Sequence, residues 1–265
     1  MVWHSVYVFS RLTRLDTSGL AFLAIAVPLY YETGNIEYAA TNSLPVLTTA
    51  MCGFVLNDIH DIEKDVHNHP KRPLPSKQIS VACATSIYFA LIVISLVFIK
   101  TYVAAANVYL YLIFIVGMIN YNYVVSHFPM AKNFYVAIVS IVPIMILTSL
   151  IPNQDVHWSI LLSLFAGILG REILMDIQDA SGDGDTFAKR IGASMAEKIG
   201  LTAHTIGVAS LSLHVRDVVG AVNLGILIIS ECAILYFWKQ SDRSQTSVLL
   251  FVMKLQLLLG VYYLL

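Results

Sequence analysis

Asn57-Asp58-Ile59-His60-Asp61-Ile62-Glu63-Lys64-Asp65 closes a long apolar stretch, and Asp176-Ile177-Gln178-Asp179-Ala180-Ser181-Gly182-Asp183 closes another. On a helix, Asp58, Asp61 and Asp65 recur at i, i+3 and i+7 and share one face, and Asp176, Asp179 and Asp183 repeat that spacing. Carboxylates at the end of a membrane-length apolar segment are costly to keep and call for a functional reason. Two such faces brought together repel unless cations lie between them. Hard oxygen donors in this number suit Mg²⁺ shared with a phosphorylated substrate.

The surrounding composition sets the solvent. The 265 residues are 57% hydrophobic and 12% charged, with mean hydropathy +0.73, and the charges fall in short stretches between apolar blocks. This is the pattern of a polytopic membrane protein whose partner is the lipid bilayer. A net charge of -1 excludes the electrostatic footprint of a nucleic-acid binder. Cys52, Cys83 and Cys232 sit in apolar surroundings without paired spacing, so neither a disulfide framework nor a zinc site is expected. The first residues lack a cleavable signal peptide's pattern, and the first apolar block reads as an uncleaved span.

Nine helix-length segments are expected to cross the membrane, at residues 17–34, 40–57, 79–99, 101–121, 133–151, 157–176, 198–214, 217–237 and 246–265. The expected fold is an all-α, nine-helix bundle forming one domain over 1–265. Alternating the loops between two sides puts 13 basic residues on the side of the acidic motifs and only Lys100 and Arg216 opposite. The motifs are therefore expected to face the cytoplasm, with the C-terminus on the far side. Each acidic run is followed by a basic one, Lys71-Arg72-Pro73-Leu74-Pro75 and Lys189-Arg190-Ile191-Gly192, a weak internal echo.

Asn57-Asp58-x-x-Asp61-x-x-x-Asp65 with Arg72-Pro73-Leu74-Pro75, and Arg171-Glu172 through Asp176-x-x-Asp179-x-x-x-Asp183, resemble the two signatures of the UbiA-type intramembrane prenyltransferases. The resemblance implies transfer of a prenyl group from an isoprenyl diphosphate to an acceptor, usually aromatic, with Mg²⁺ as cofactor. It implies that Asn57 and Asp61 ligate one Mg²⁺ and Asp179 and Asp183 the other. Asp58, Asp65 and Asp176 would be further ligands or would hold the ligands in place. Asp61, Asp176 and Asp179 are the catalytic candidates, with Asp176 or Asp179 taking up the released proton. Arg72, Lys189 and Arg190 are the candidate phosphate contacts.

Members often carry Tyr-x-x-x-Lys after the fourth span, whereas this chain has Tyr123-Val124-Val125-Ser126-His127. His127 either donates to phosphate when protonated or is an interfacial loop residue. Tyr123 is a candidate to shield a carbocation. Arg14 either binds an acceptor carboxylate or anchors the first helix. The same motifs also serve a terpene cyclase of this type, or an ether-lipid enzyme with a glyceryl phosphate acceptor. A divalent-cation transporter is disfavoured, because both motifs lie at one membrane face beside basic loops.

Overall fold

The computed structural model describes residues 2–128, 131–151, 158–179, 185–215, 218–240 and 243–261. Among the described residues the chain is helical and has no strand. Twelve α-helices run in order: α1 (Val2–Leu12), α2 (Leu15–Thr33), α3 (Ile36–His60), α4 (Ile62–Asn68), α5 (Val81–Tyr102), α6 (Val108–His127), α7 (Lys132–Leu150), α8 (Trp158–Asp179), α9 (Phe187–Ile191), α10 (Ala193–Ser210), α11 (Val218–Trp238) and α12 (Arg243–Gly260). They form two compact units, Met1–Ser126 with Met145–Gln154, and His127–Ile144 with Asp155–Leu265. Each unit carries one acidic motif.

The nine expected segments all overlap helices of 18 residues or more, but not all of these are spans by length and composition. Among the described residues α3, α5, α6, α7 and α11 are long and apolar enough to cross a bilayer, and α1 with α2, bent by 64°, would make a sixth. The expected count of nine is therefore not established by length and hydropathy. One part of the shortfall has a visible source in α8, whose last turns hold Arg171, Glu172, Asp176 and Asp179. The fourth segment is also displaced, to 108–127 from the expected 101–121. Lys100 does not end α5; it lies exposed in its last turn, where a cation suits the helix C-terminus.

The surface is inverted relative to a water-soluble bundle. On α11, Val222, Ile226 and Ile229 are exposed while Asn223 and Glu231 are buried. On α5, Phe89, Val93 and Val97 are exposed while Ser95 is buried. Apolar side chains facing outward along whole helices are what hydrocarbon as solvent selects. The chain is an integral, multi-pass membrane protein.

In the first unit α3 packs between α2 and α5. A core of Leu12, Met51, Cys52, Val55, Leu74, Ala84 and Leu91 joins α1, α3 and α5 to the loop before α5. Leu74 is the pin: its burial fixes the Arg72-Pro73-Leu74-Pro75 turn, closed by Ser76 N–H to Arg72 O (3.0 Å) and Gln78 N–H to Pro73 O (2.9 Å). In the second unit α8 and α10 touch backbone to backbone. A Cβ on Gly170 would collide with the main chain of Gly200 and His204, and one on Gly207 with that of Ser163 and Gly167. Small residues at such a crossing let van der Waals packing work where lipid supplies no hydrophobic drive.

Candidate active site

The first acidic motif begins in the last turn of α3. Asp61 (φ -92°, ψ 12°) separates α3 from α4, yet Asp61 N–H still bonds Asn57 O (2.9 Å) and Asp65 N–H bonds Asp61 O (2.7 Å). The helical register thus carries through, and Asp58 and Asp65 converge on one guanidinium. Arg72 Nη1 lies 2.5 Å from Asp65 Oδ2 and 3.5 Å from Asp58 Oδ1. Asp58 Oδ1 also accepts from Arg14 Nη2 at 2.8 Å. Both carboxylates are buried, at 1% and 2% exposure, so pairing is what makes their ionisation tolerable. Burial pushes the Asp65 carboxyl above its ordinary range, and Arg72 pulls it back only in part.

Arg14 reaches Asp58 from an unusual backbone. It sits between α1 and α2 with φ 46° and ψ 56°, a left-handed conformation costing an ordinary residue about 1–2 kcal/mol. Its side chain offsets this by pairing with Asp58 and lying over the Phe54 ring, 4.8 Å from the centroid. Arg14 and Arg72, with Ser10, Arg11, Asp16, Thr17 and Asp58, line a cavity of about 410 Å³.

Asn57 and Asp61 differ from Asp58 and Asp65. Asn57 Oδ1 is buried with no hydrogen-bond partner. The half-buried Asp61 carboxylate makes no hydrogen bond or ion pair among the described residues. A buried amide oxygen without a donor is an expense unless something else binds it. No group of three His, Cys, Asp or Glu side chains forms a metal cage among the described residues. Mg²⁺ does not need one, since it usually takes one or two carboxylates and completes its shell with water and substrate phosphate. The residues present fit it.

The second motif ends α8. Asp176 is buried, and both of its oxygens are engaged: Oδ1 by Lys132 Nζ at 2.8 Å and Oδ2 by Asn133 Nδ2 at 3.3 Å. Arg171 donates to Leu250 O (3.0 Å) and pairs with Glu172 (2.7 Å), tying α8 to α12. The Asp179 side chain and all of Asp183 lie outside the described residues.

The remaining sequence candidates are more exposed. Tyr123 and His127 stand four residues apart in the last turns of α6, not in a loop. Lys189 is exposed on α9, a short helix capped by the Thr186 side chain. Arg190 is held in a bidentate pair by Asp185, and this hydrogen-bonding cation keeps the Asp185 carboxyl below its usual range.

Sequence reasoning passed over two groups. Lys132 and Asn133, 44 and 43 residues from Asp176, carry no local signal. Glu231 did carry one, as a lone acid inside an apolar helix. It accepts from Thr205 Oγ1 (2.7 Å) and Gln256 Nε2 (3.2 Å) and lies 3.1 Å from His204 Nδ1, locking α10, α11 and α12 together.

Among the described residues this is a helical membrane protein whose α3 and α8 each end in carboxylates, with a buried, unpartnered amide oxygen at Asn57. Residues 19–258 match the UbiA prenyltransferase family, and the chain belongs to that family. A digeranylgeranylglyceryl phosphate synthase of Methanococcus maripaludis strain C6 is 28% identical over 172 residues, 64% of this chain. The match spans only 60% of that relative's length. The fold is that of a UbiA homolog from Aeropyrum pernix K1 (TM-score 0.77, 15% identity, 95% of this chain and 98% of that one). A UbiA homolog from Archaeoglobus fulgidus bound to GPP and Mg²⁺ is similarly close (TM-score 0.76, 17% identity, 97% and 98%).

Proposed function

We propose that the protein transfers a prenyl group from an isoprenyl diphosphate to the hydroxyl of a glyceryl phosphate, making an ether lipid. The observation that carries the acceptor is the cavity beside Asp58. Three of its seven lining residues are arginines and none is aromatic. Guanidinium forks suit a phosphate, and nothing in the lining offers a platform for an aromatic ring. The synthase named among the relatives has a glyceryl phosphate product, which supports this acceptor over the aromatic one implied by the family resemblance. The count of 13 basic residues supports a site opening to the cytoplasm.

In this reading Asn57 and Asp61 hold Mg²⁺ and the diphosphate it carries. Bound Mg²⁺ supplies positive charge to the departing diphosphate oxygens. The bond between prenyl C1 and the diphosphate oxygen breaks with its electron pair on oxygen. The glyceryl hydroxyl oxygen forms the new ether bond to C1, and its proton leaves with the diphosphate. Arg11, Arg14 and Arg72 orient the acceptor by its phosphate. Asp176, with both oxygens engaged, serves as a fixed charge and not as the base.

The test is purified protein in detergent with Mg²⁺ and geranylgeranyl diphosphate, offered a prenylglyceryl phosphate, an aromatic acid or no acceptor, with products read by mass spectrometry. Ether formation with the glyceryl phosphate alone is expected. A ring-prenylated product would restore the aromatic acceptor, and a cyclic hydrocarbon without acceptor would make the protein a cyclase.

A further inference from the structure

We infer that Arg11 and Asp16 together read the acceptor as a phosphate ester bearing a free hydroxyl, an assignment that rests on the ether-lipid reading above. Arg11 takes the phosphate, and Asp16 accepts a hydrogen bond from the hydroxyl. Arg11 lies in the last turn of α1 and Asp16 in the first turn of α2. Between them the left-handed Arg14 backbone marks a 64° bend, and both side chains line the cavity of about 410 Å³. Each charge also suits the dipole of its helix end, but that would hold whichever way the side chain pointed. Lining one cavity together is the separate observation.

The charges of this cavity divide into committed and uncommitted. Arg14 and Arg72 both meet Asp58, and Arg72 meets Asp65 as well. Arg11 instead donates to a neutral group, the Tyr7 hydroxyl at 3.3 Å, with its guanidinium carbon 5.8 Å from that ring's centroid. Among the described residues Arg11 pairs with no carboxylate, and the exposed Asp16 carboxylate accepts no hydrogen bond and meets no cation. Two opposite charges that line one cavity without pairing leave a place for a ligand that is anionic at one end and a hydrogen donor at the other. A bare phosphate would meet Asp16 as a like charge, and a neutral alcohol would leave Arg11 unanswered. Asp58 forms another wall; Asn57 precedes it and Asp61 follows one helical turn later, so an acceptor held here lies beside the metal candidates.

The experiment measures binding in detergent of a prenylglyceryl phosphate and of its deoxy analogue, in which hydrogen replaces the free hydroxyl. Prenyl diphosphate is left out so that nothing turns over. The proteins are wild type, Asp16→Ala, Asp16→Asn and Arg11→Gln; both positions are exposed, and such substitutions are expected to fold. Wild type should prefer the hydroxyl compound about tenfold, the low end for a hydrogen bond to a charged group because water competes at an open site. Asp16→Ala should bring that ratio close to one, with the deoxy compound bound at least as tightly as by wild type once the like charge is gone. Asp16→Asn, which keeps an acceptor oxygen without the charge, should retain part of the preference. Arg11→Gln should weaken both compounds about tenfold and leave their ratio unchanged, because both carry the phosphate. A wild-type ratio of one, or a ratio that Asp16→Ala does not move, would overturn the pairing of roles and leave the ether-lipid reading standing. Failure of the wild type to bind the prenylglyceryl phosphate would overturn both.

Discussion

The two acidic motifs solve the same electrostatic problem with different cations. In the first unit, Arg72 serves Asp58 and Asp65 together, and Arg14 adds a second contact to Asp58. A planar guanidinium with several donors can bridge two carboxylates, which leaves Asn57 and Asp61 uncommitted. In the second unit a lysine and an asparagine side chain meet a single carboxylate, Asp176. An ammonium is a compact point charge and anchors one partner well. The first motif is thus built to leave oxygens open, and the described part of the second to hold one shut.

If that contrast is right, the largest effects come from breaking the closed pair. Lys132→Met strands a buried carboxylate, and a stability loss of about 3–5 kcal/mol is expected in thermal or denaturant unfolding. The double variant Lys132→Met/Asp176→Leu should recover most of it, because an apolar pair of similar volume needs no compensation. A Lys132→Met protein as stable as wild type would show that Asp176 has other company. Next in size is the open motif. Asp61→Ala and Asn57→Ala should each cut Mg²⁺-dependent turnover about 10²–10³-fold, roughly 3–4 kcal/mol of barrier, with little change in unfolding. EDTA should abolish turnover of the wild type and added Mg²⁺ restore it. A stable but fully active Asp61→Ala would remove that residue from the metal.

The contrast also explains what the sequence could tell. Apolar block length located the helices, since segment 79–99 became α5 and 217–237 became α11 within a few residues. The acidic runs located the helix ends that bear charge. Neither could assign partners: Asp58, Asp61 and Asp65 look equivalent by spacing, and only Arg72 and Arg14 arriving from other elements divide them into held and open. The Lys132 contact was invisible for the same reason, because complementarity between distant helices leaves no periodic trace. Glu231 was legible in principle, being an acid in the middle of an apolar span, but its three partners come from α10 and α12.

A smaller effect tests whether Arg72 must be a fork. Arg72→Lys keeps the charge but can satisfy only one of Asp58 and Asp65 at short range, so a loss of about 1–2 kcal/mol in stability is expected. Arg14→Lys should cost less, since Asp58 retains Arg72, and the difference between the two variants measures the bridging.

The smallest prediction concerns Arg190, whose exposed pairing with Asp185 contrasts with the buried Arg72 pairs. Water and salt screen an exposed pair, so Asp185→Asn should leave unfolding unchanged. It does release a guanidinium on α9. If Arg190 contacts the diphosphate, Asp185→Asn should tighten analogue binding by no more than about fivefold, with the gain fading as salt rises. Equal binding by Asp185→Asn and Asp185→Asn/Arg190→Gln would instead make the pair a surface feature, and would leave cation service to the motifs with the buried residues alone.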